Sequence, residues 1–294
     1  FFGGGTPSLL SATAYERLFV GLQQRLTFAA DIEITLEANP GTFEAEKFSA
    51  YRKLGINRLS IGIQSFHPEH LQGLGRVHDR DQALRAIELA KLAGFDNFNL
   101  DLMHGLPNQT IDQALADLNQ ALSFNPNHLS WYQLTIEPNT VFYSKPPPLP
   151  SESILTRVQD AGHDLLVSRG LAQYEVSAYA RGDRLQSRHN LNYWQFGDYL
   201  GIGAGAHGKI SLLDGSQPLR TRKHRQPDHY LRAASERGDA GNLARYTAES
   251  IPIPIDEITI EYLLNTLRTR RGLSPAHFET HNGVAFSEIA NRVE

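Results

Sequence analysis

The sequence contains no cysteine, a single methionine (Met103) and no long run of apolar residues. Without cysteine, these 294 residues cannot form disulfides, zinc–thiolate sites, a cysteine-ligated iron–sulfur cluster or a thiol nucleophile. A membrane-spanning helix needs about 20 apolar residues, so we predict no transmembrane segment. The charge excess is also small, because 28 Lys+Arg against 32 Asp+Glu give a net charge of −4. This balance argues against a dedicated nucleic-acid binder.

The composition predicts a folded chain. Hydrophobic residues make up 40% of the sequence, which is enough to fill a sizeable core. The length predicts one large domain, either alone or with a small appendage. Both ends read as truncations, since Phe1 and Phe2 resemble the end of a buried strand and the last residues stop within an amphipathic pattern. We therefore expect further sequence on either side.

Strand-like and helix-like segments alternate along the chain. The predicted strands are Ile32–Ala38, Arg58–Ile63, Phe98–Met103, Leu129–Ile136 and Tyr174–Tyr179. The predicted helices are Ala12–Leu26, Ala45–Leu54, Asp81–Ala93, Ile111–Leu122 and Ile154–Ser168. This order is typical of an α/β fold with a parallel sheet covered by helices.

The spacing of the strand ends refines the fold. Successive ends lie 32, 27, 37 and 36 residues apart, counted from Gly5 to Glu137. A (β/α)₈ barrel averages about 31 residues per unit, so the spacing favours a barrel or partial barrel over a doubly wound sheet. In either fold, a binding site is expected at the carboxyl ends of the strands.

Three domain segments follow from the pattern. Residues 1–215 are expected to form the partial barrel and its extension, and residues 216–253 a connecting segment. Residues 254–294 contain helical patterns without strands and predict the start of a small helical C-terminal domain.

A glycine-rich turn follows the first strand-like residues. Gly4, Gly5 and Thr6 belong to a GGGTPS sequence that precedes a helix. Glycines allow backbone N–H groups to approach a ligand closely, and Thr6 adds a hydroxyl. The spacing matches neither a phosphate-binding P-loop nor GxGxxG, and a simple tight turn is an equally good interpretation.

Polar side chains occupy equivalent places on consecutive strands. Glu37 ends ITLEANP, Gln64 ends RLSIGIQ, and Asp101 faces opposite to its apolar neighbours within NLDLM. Arg76 follows in a loop before a helix and has the donor geometry to bind a carboxylate. An internal salt bridge, for instance between Asp101 and Arg76, is the alternative interpretation. Because the three strand residues share a position, we favour a common binding site.

A cluster of ring-bearing residues lies further along. His189 begins HNLNYW, which also contains Tyr193 and Trp194. Such a cluster suits a flat aromatic ligand with His189 as an axial ligand to iron. A core aromatic cluster with a hydrogen-bonded histidine is the alternative.

Eight strings occur in order over nearly the whole chain: FFGGGTPSLL, ITLEANP, IGIQSF, LGRVHD, LDLMHGLP, LTIEPNT, HNLNYW and GIGAGAHG. Together they resemble the oxygen-independent coproporphyrinogen III oxidase-like family of radical S-adenosylmethionine (SAM) proteins, and within it the haem-chaperone branch. The resemblance implies a partial (β/α)₆ barrel and a cytoplasmic protein, with peripheral attachment to a membrane left open.

The resemblance also assigns ligands. It implies that Gly4, Gly5 and Thr6 hold the methionine end of SAM and that Glu37, Gln64, Arg76 and Asp101 make further SAM contacts. The family holds a [4Fe–4S] cluster with CxxxCxxC before the GGGTP strand. This chain has no cysteine, so we expect those ligands upstream of Phe1, in the full-length protein only. A cluster-less binding paralogue is the alternative.

Two functions compete within the family. One is a haem chaperone that binds haem, or another tetrapyrrole, and delivers it to haem-acceptor proteins. The other is an oxygen-independent coproporphyrinogen III oxidase, so enzymatic activity stays open. HNLNYW resembles the chaperone motif HNxxYW, which favours the chaperone.

Overall fold

The computed structural model describes residues 1–42, 45–212, 217–235 and 243–290. Its contacts divide the chain into two compact units, Phe1–Ser187 and Arg188–Glu294. Among the described residues, every helix is too short or too polar to span a lipid bilayer.

The first unit contains a six-stranded sheet with the order β1-β2-β3-β4-β6-β5. Strands β1 to β4 are parallel, and β6 pairs antiparallel with both β4 and β5. The bounds are β1 Thr35–Ala38, β2 Arg58–Gln64, β3 Phe98–His104, β4 His128–Gln133, β5 Ala172–Glu175 and β6 Ala178–Ala180.

Helices connect the strands of this sheet. They are α1 Ala12–Gln23, α2 Ala45–Lys53, α3 Pro68–Gly73, α4 Arg80–Leu92, α5 Ile111–Ser123, α6 Val141–Ser144 and α7 Glu152–Ser168. Two of them begin with a capping box, in which Asp79 pairs with Gln82 and Thr110 with Gln113. These side chains satisfy backbone groups that the first helical turn leaves unpaired, so the helices begin where the sequence places those residues. The predicted α/β fold with a helix-covered parallel sheet is confirmed.

The core lies between the sheet and its helices. All residues of β2 except Gly62 are buried, as expected for a parallel strand covered on both faces. The sheet contributes fully buried Leu36, Leu59 and Leu100, and α2 contributes Phe48. This packing fixes the strand ends that carry the polar side chains.

Two strands differ from the prediction. Tyr174–Tyr179 was expected as one strand, but a turn divides it into β5 and β6, which form an antiparallel hairpin. The Phe1–Phe2 segment makes only an isolated parallel bridge, from Phe2 to Leu36. In both cases apolar residues suggest a strand, but the ladder of backbone hydrogen bonds is short.

The second unit contains an antiparallel sheet as well as helices. Its strands are β7 His207–Ile210, β8 Leu219–Lys223 and β9 Thr247–Pro252. Its helices are α8 Arg188–Trp194, α9 Pro227–Ser235, α10 Ile255–Thr266, α11 Pro275–Asn282 and α12 Phe286–Ala290. A separate core forms around Phe196, Tyr262 and Phe278.

The boundary between the two units lies at residues 187 and 188, earlier in the chain than the predicted end of the barrel segment at residue 215. Residues 188–215 were grouped with the barrel, whereas the contacts group them with the second unit, because β7 pairs with β8. The segment 216–253, expected as a connection, contributes β8, α9 and β9. Of the three predicted segments, residues 43–44, 213–216, 236–242 and 291–294 lie outside the described residues.

Candidate functional site

A polar cavity of about 330 Å³ opens at the carboxyl ends of β1, β2 and β3. Its wall contains five residues that the sequence analysis selected: Gly5, Glu37, Gln64, Arg76 and Asp101. It also contains Pro7, Ala38, Asn39, Ser60, Gly62 and Tyr132. Parallel strands bring their carboxyl ends to one edge of a sheet, which is why residues far apart in sequence meet here.

Glu37 joins the glycine turn to β1. Its Oε2 accepts a hydrogen bond from the Gly4 N–H at 3.1 Å. A Cβ on Gly3 would come within 2.9 Å of Glu37 Oε1, so a side chain at this position would displace the carboxylate. Burial raises the pKa of Glu37 and the charge of Asp101 adds to the shift, while the Gly4 N–H opposes it.

Two of the predicted residues, Gly4 and Thr6, contact the cavity wall. Gly4 bonds to Glu37, and the Thr6 hydroxyl accepts a hydrogen bond from Asn39 Nδ2 at 3.2 Å. Gly4 and Gly5 have φ angles of +80° and +64°, which non-glycine residues rarely adopt. The glycines therefore permit the turn that carries Thr6 past the end of β1.

Gln64 ends β2 in a strained conformation. Its φ of +71° lies in the left-handed region, an unusual place for a non-glycine residue. Its side-chain Oε1 accepts a hydrogen bond from the Tyr132 hydroxyl at 2.8 Å. This bond links the end of β2 to β4 across the cavity wall.

The bend after Gln64 is held from helix α5. Asp117, which is 1% exposed, accepts hydrogen bonds from the Ser65 hydroxyl and the Phe66 N–H, both at 2.7 Å. Burial raises the pKa of Asp117 to about 6. Strained backbone persists where its surroundings determine it, and these bonds supply that restraint.

Asp101 lies on the inner face of β3 and is only partly exposed. Its Oδ1 accepts from Asn99 Nδ2 at 2.8 Å, and its Oδ2 accepts from the Ser60 hydroxyl at 3.0 Å. Burial raises its pKa, and the bonds from Asn99 and Ser60 oppose that shift. Asp101 is thus held by neutral donors of the sheet, and not through the alternative salt bridge to Arg76.

Arg76 is an exposed residue of the loop between α3 and α4. It lines the cavity together with Glu37 and Asp101, and its charge is opposite to theirs. Two carboxylates and one guanidinium give the wall an excess of negative charge. This donor set suits a cationic ligand that also carries a carboxylate.

His189 belongs to the second unit and lies on α8. Its ring packs edge-on against Tyr193, with centroids 4.8 Å apart, and Tyr193 contacts Tyr199 at 4.5 Å. His189 is partly exposed. The HNLNYW sequence therefore forms one short helix with a partly open row of rings.

Sequence reasoning missed part of the cavity wall. Ser60 and Tyr132 line the cavity but lie in the middle of predicted strands, so they were not recognised as polar residues at strand ends. Their signal is register, because Ser60 pairs with Glu37 across β1 and β2. Asn39 lies two residues after Glu37 in the same LEANP string, so the sequence analysis could have included it as a polar residue at this strand end.

The donor set of the cavity fits SAM. SAM carries a sulfonium, an ammonium, a carboxylate and ribose hydroxyls, for which the wall offers acids, amides, hydroxyls and a guanidinium. A Cβ on Gly62 would lie 3.1 Å from both Asn39 Oδ1 and Gln64 Nε2, so glycine keeps the floor open between them. An iron–sulfur cluster does not fit these 294 residues, since they contain no thiolate.

Comparison with known proteins identifies the relatives of this chain. Residues 1–121 match the Radical SAM superfamily. The chain is 48% identical over 294 residues to the heme chaperone HemW of Escherichia coli, covering all of this chain and 74% of that protein. It is 46% identical over its full length to the heme chaperone HemW of Haemophilus influenzae, covering 73% of it.

A solved structure shows the same fold. Coproporphyrinogen III oxidase (HemN) from Escherichia coli superimposes with a TM-score of 0.77 at 24% identity, covering 98% of this chain and 67% of that one. At this identity the likeness concerns the fold, and the sequence relatives decide the branch. The chain belongs to the HemW family of heme chaperones within the Radical SAM superfamily.

Proposed function

We propose that this protein is a haem chaperone, which binds haem and delivers it to haem-acceptor proteins in the cytoplasm. The observation that carries the proposal is the full-length identity to proteins named heme chaperone HemW. The partly open rings of α8 support it, because His189 offers an imidazole ligand to iron beside aromatic surface.

Haem titration of the chain tests this proposal. We expect a saturable haem spectrum that His189→Ala weakens by roughly tenfold or more, since an axial ligand is lost. His229→Ala is a matched control, because His229 is an exposed histidine of the same unit. Equal haem affinity in the two variants would remove His189 from the site, and no saturable binding by the wild type would contradict the chaperone function.

We further propose that the cavity of the first unit binds SAM. Glu37, Gln64, Asp101 and Arg76 would contact the ligand directly, and the turn at Gly4, Gly5 and Thr6 would face its methionine end. In radical SAM proteins, SAM bound to a cluster supplies a deoxyadenosyl radical. These residues by themselves offer a binding pocket and no reductive step, because the thiolates are absent from them.

Calorimetric titration with SAM and with S-adenosylhomocysteine tests the cavity. The two ligands differ by the sulfonium charge, and the wall contains two carboxylates against one guanidinium. We expect SAM to bind more tightly, by roughly three- to tenfold, since a charge near a partly buried carboxylate is worth about 1 kcal/mol. Equal affinities would contradict the electrostatic assignment.

A separate preparation, of the complete protein, distinguishes a chaperone from an oxidase. The complete protein, carrying its cluster, is incubated anaerobically with SAM and coproporphyrinogen III. We expect haem transfer to an apoprotein and no decarboxylated porphyrinogen. Formation of protoporphyrinogen IX would favour the oxidase instead.

A further inference from the structure

A line of buried polar groups continues from Asp101 away from the cavity. It passes through Asn99 on β3, His128 at the start of β4 and Tyr174 on β5, and it ends at the backbone of Ser187. These four residues are at most 5% exposed. Asn99 and His128 are register partners across β3 and β4, so the sheet itself brings them together.

The distances form an unbroken series of hydrogen bonds. Asn99 Oδ1 lies 2.7 Å from His128 Nδ1, and His128 Nε2 lies 2.8 Å from the Tyr174 hydroxyl. The Ser187 N–H donates to that hydroxyl oxygen at 3.3 Å. In addition, the Ser130 hydroxyl donates to Asn99 Oδ1 at 3.1 Å.

The donor and acceptor of each bond follow from the two ends. The Asp101 carboxylate accepts, so Asn99 must turn its Nδ2 toward Asp101 and its Oδ1 toward His128. His128 therefore carries its proton on Nδ1, and its Nε2 accepts from the Tyr174 hydroxyl. The Tyr174 oxygen in turn accepts from the Ser187 N–H, which has no other role than donor.

This arrangement requires a neutral His128. Burial lowers the pKa of His128 well below its usual value, and the nearby guanidinium of Arg58 lowers it further. Both nitrogens of a neutral imidazole are used here, one as donor and one as acceptor. The second Nδ2 proton of Asn99 is also used, in a bond to the Ser60 hydroxyl at 2.8 Å.

We propose that His128 and Tyr174 are positioning residues for Asp101. Tyr174 fixes the tautomer of His128, and His128 fixes the orientation of the Asn99 amide. The amide in turn sets the direction in which Asp101 presents its carboxylate to the cavity. The proposal rests on the proposed SAM cavity for its functional consequence. Neither residue lines that cavity, so their effect on ligand binding would be transmitted through Asn99.

Loss of the Tyr174 hydroxyl would release this order. Without the hydroxyl, His128 Nε2 is left as a buried acceptor that has lost its donor, and the bond from Nδ1 to Asn99 Oδ1 alone holds the imidazole in this line. The ring can then shift, which weakens that bond and, with it, the bond from Asn99 Nδ2 to Asp101. A carboxylate that loses part of a donor bond holds its proton more tightly, so the pKa of Asp101 rises and its orientation is less fixed.

The experiment compares Tyr174→Phe with Tyr179→Phe. Tyr179 is a matched control, because it is 3% exposed, lies in the same sheet and hydrogen-bonds a histidine, His163 Nδ1, at 3.2 Å. That histidine is not part of the line to Asp101. With SAM as the probe, we expect Tyr174→Phe to weaken binding by roughly three- to tenfold and Tyr179→Phe to leave it unchanged.

A double-mutant cycle tests the route. In an Asp101→Asn background, Tyr174→Phe should cause no further loss, because the group that it positions is gone. A loss of the same size in both backgrounds would show that Tyr174 acts on stability or elsewhere, and would overturn the proposal.

Two spectroscopic readouts keep the test independent of SAM binding. Nitrogen-15 spectra should show His128 protonated at Nδ1 in the wild type, and carbon-13 carboxyl shifts should show the pKa of Asp101 raised in Tyr174→Phe but not in Tyr179→Phe. Protonation at Nε2 in the wild type, or an unchanged Asp101 titration, would overturn the proposal. If the wild type binds no SAM while these spectra agree, the SAM cavity fails and the positioning line stands.

Discussion

Glu37 is a carboxylate in surroundings that disfavour its charge. Its pKa is raised by burial and by Asp101, so ionised Glu37 makes the folded state less stable than it would be with a neutral side chain. Such a cost is typical of a residue retained for binding, since a cationic ligand would compensate the charge.

The prediction at this residue is a trade between stability and affinity. Glu37→Gln keeps an oxygen that can accept from Gly4 N–H but removes the charge. We expect the thermal midpoint at neutral pH to rise by roughly 1–3 °C, because the unfavourable ionisation is gone. SAM affinity should fall in the same variant by roughly tenfold.

The pH dependence supplies the control for Glu37. A carboxyl whose pKa is raised in the folded state binds protons more readily there than in the unfolded chain. The wild type therefore loses stability relative to Glu37→Gln as the pH rises through the ordinary pKa of Glu toward the raised value, and the two proteins converge below it. A difference in midpoint that does not vary with pH would contradict this account.

At the scale of elements, helix α5 holds the end of strand β2. Asp117 of α5 binds the Ser65 hydroxyl and the Phe66 N–H, immediately after the strained Gln64. The Asp117→Ala variant leaves two buried donors without partners, so we expect a loss of about 2–4 kcal/mol in the free energy of unfolding, measured by urea titration.

Two further variants serve as controls for Asp117→Ala. Asp117→Asn keeps an acceptor and the shape of the side chain, so it should retain most of the stability. Asn119→Ala changes an exposed residue on the same helix and should stay within about 0.5 kcal/mol of the wild type. A loss in Asp117→Ala no larger than in Asn119→Ala would show that the bend does not depend on α5.

The strands of the first sheet could be predicted from the sequence, whereas those of the second sheet could not. Alternation and spacing located β1 to β4 and the ends that carry Glu37, Gln64 and Asp101, because period and strand length are local properties. The second sheet was not predicted, since β8 and β9 lie in the segment 216–253 that was expected to be a connection. In the structure, Arg222 of β8 pairs with Glu249 of β9 at 3.2 Å, a partner 27 residues away in sequence.

The contacts of the inner cavity wall could not be predicted from the sequence either, because they also join residues far apart in the chain. The bond from Tyr132 to Gln64 joins residues 68 apart, and the left-handed backbone of Gln64 carries no glycine to signal it. Such contacts depend on how strands far apart in sequence pair, and parallel strands are joined by crossovers of a dozen or more residues, so no short segment of the sequence contains both partners.

At the scale of the whole molecule, the two proposed ligands fall on different units. The cavity proposed for SAM is built by Phe1–Ser187, and His189 lies on α8 in the second unit. The two sites therefore have separate backbone segments around them, and binding at each should protect a different part of the chain.

Hydrogen exchange of the intact chain tests this separation. Ligand binding slows local opening of the segments that it contacts. We expect SAM to protect residues 3–6, 37–39, 60–66 and 101, and haem to protect residues 188–199. SAM protection of 60–66 should be lost in Glu37→Gln while haem protection of 188–199 persists, because that substitution lies in the first unit. Haem protection that follows the SAM cavity, or vanishes with Glu37→Gln, would mean that both ligands share one site, and the assignment of His189 to haem would then be wrong.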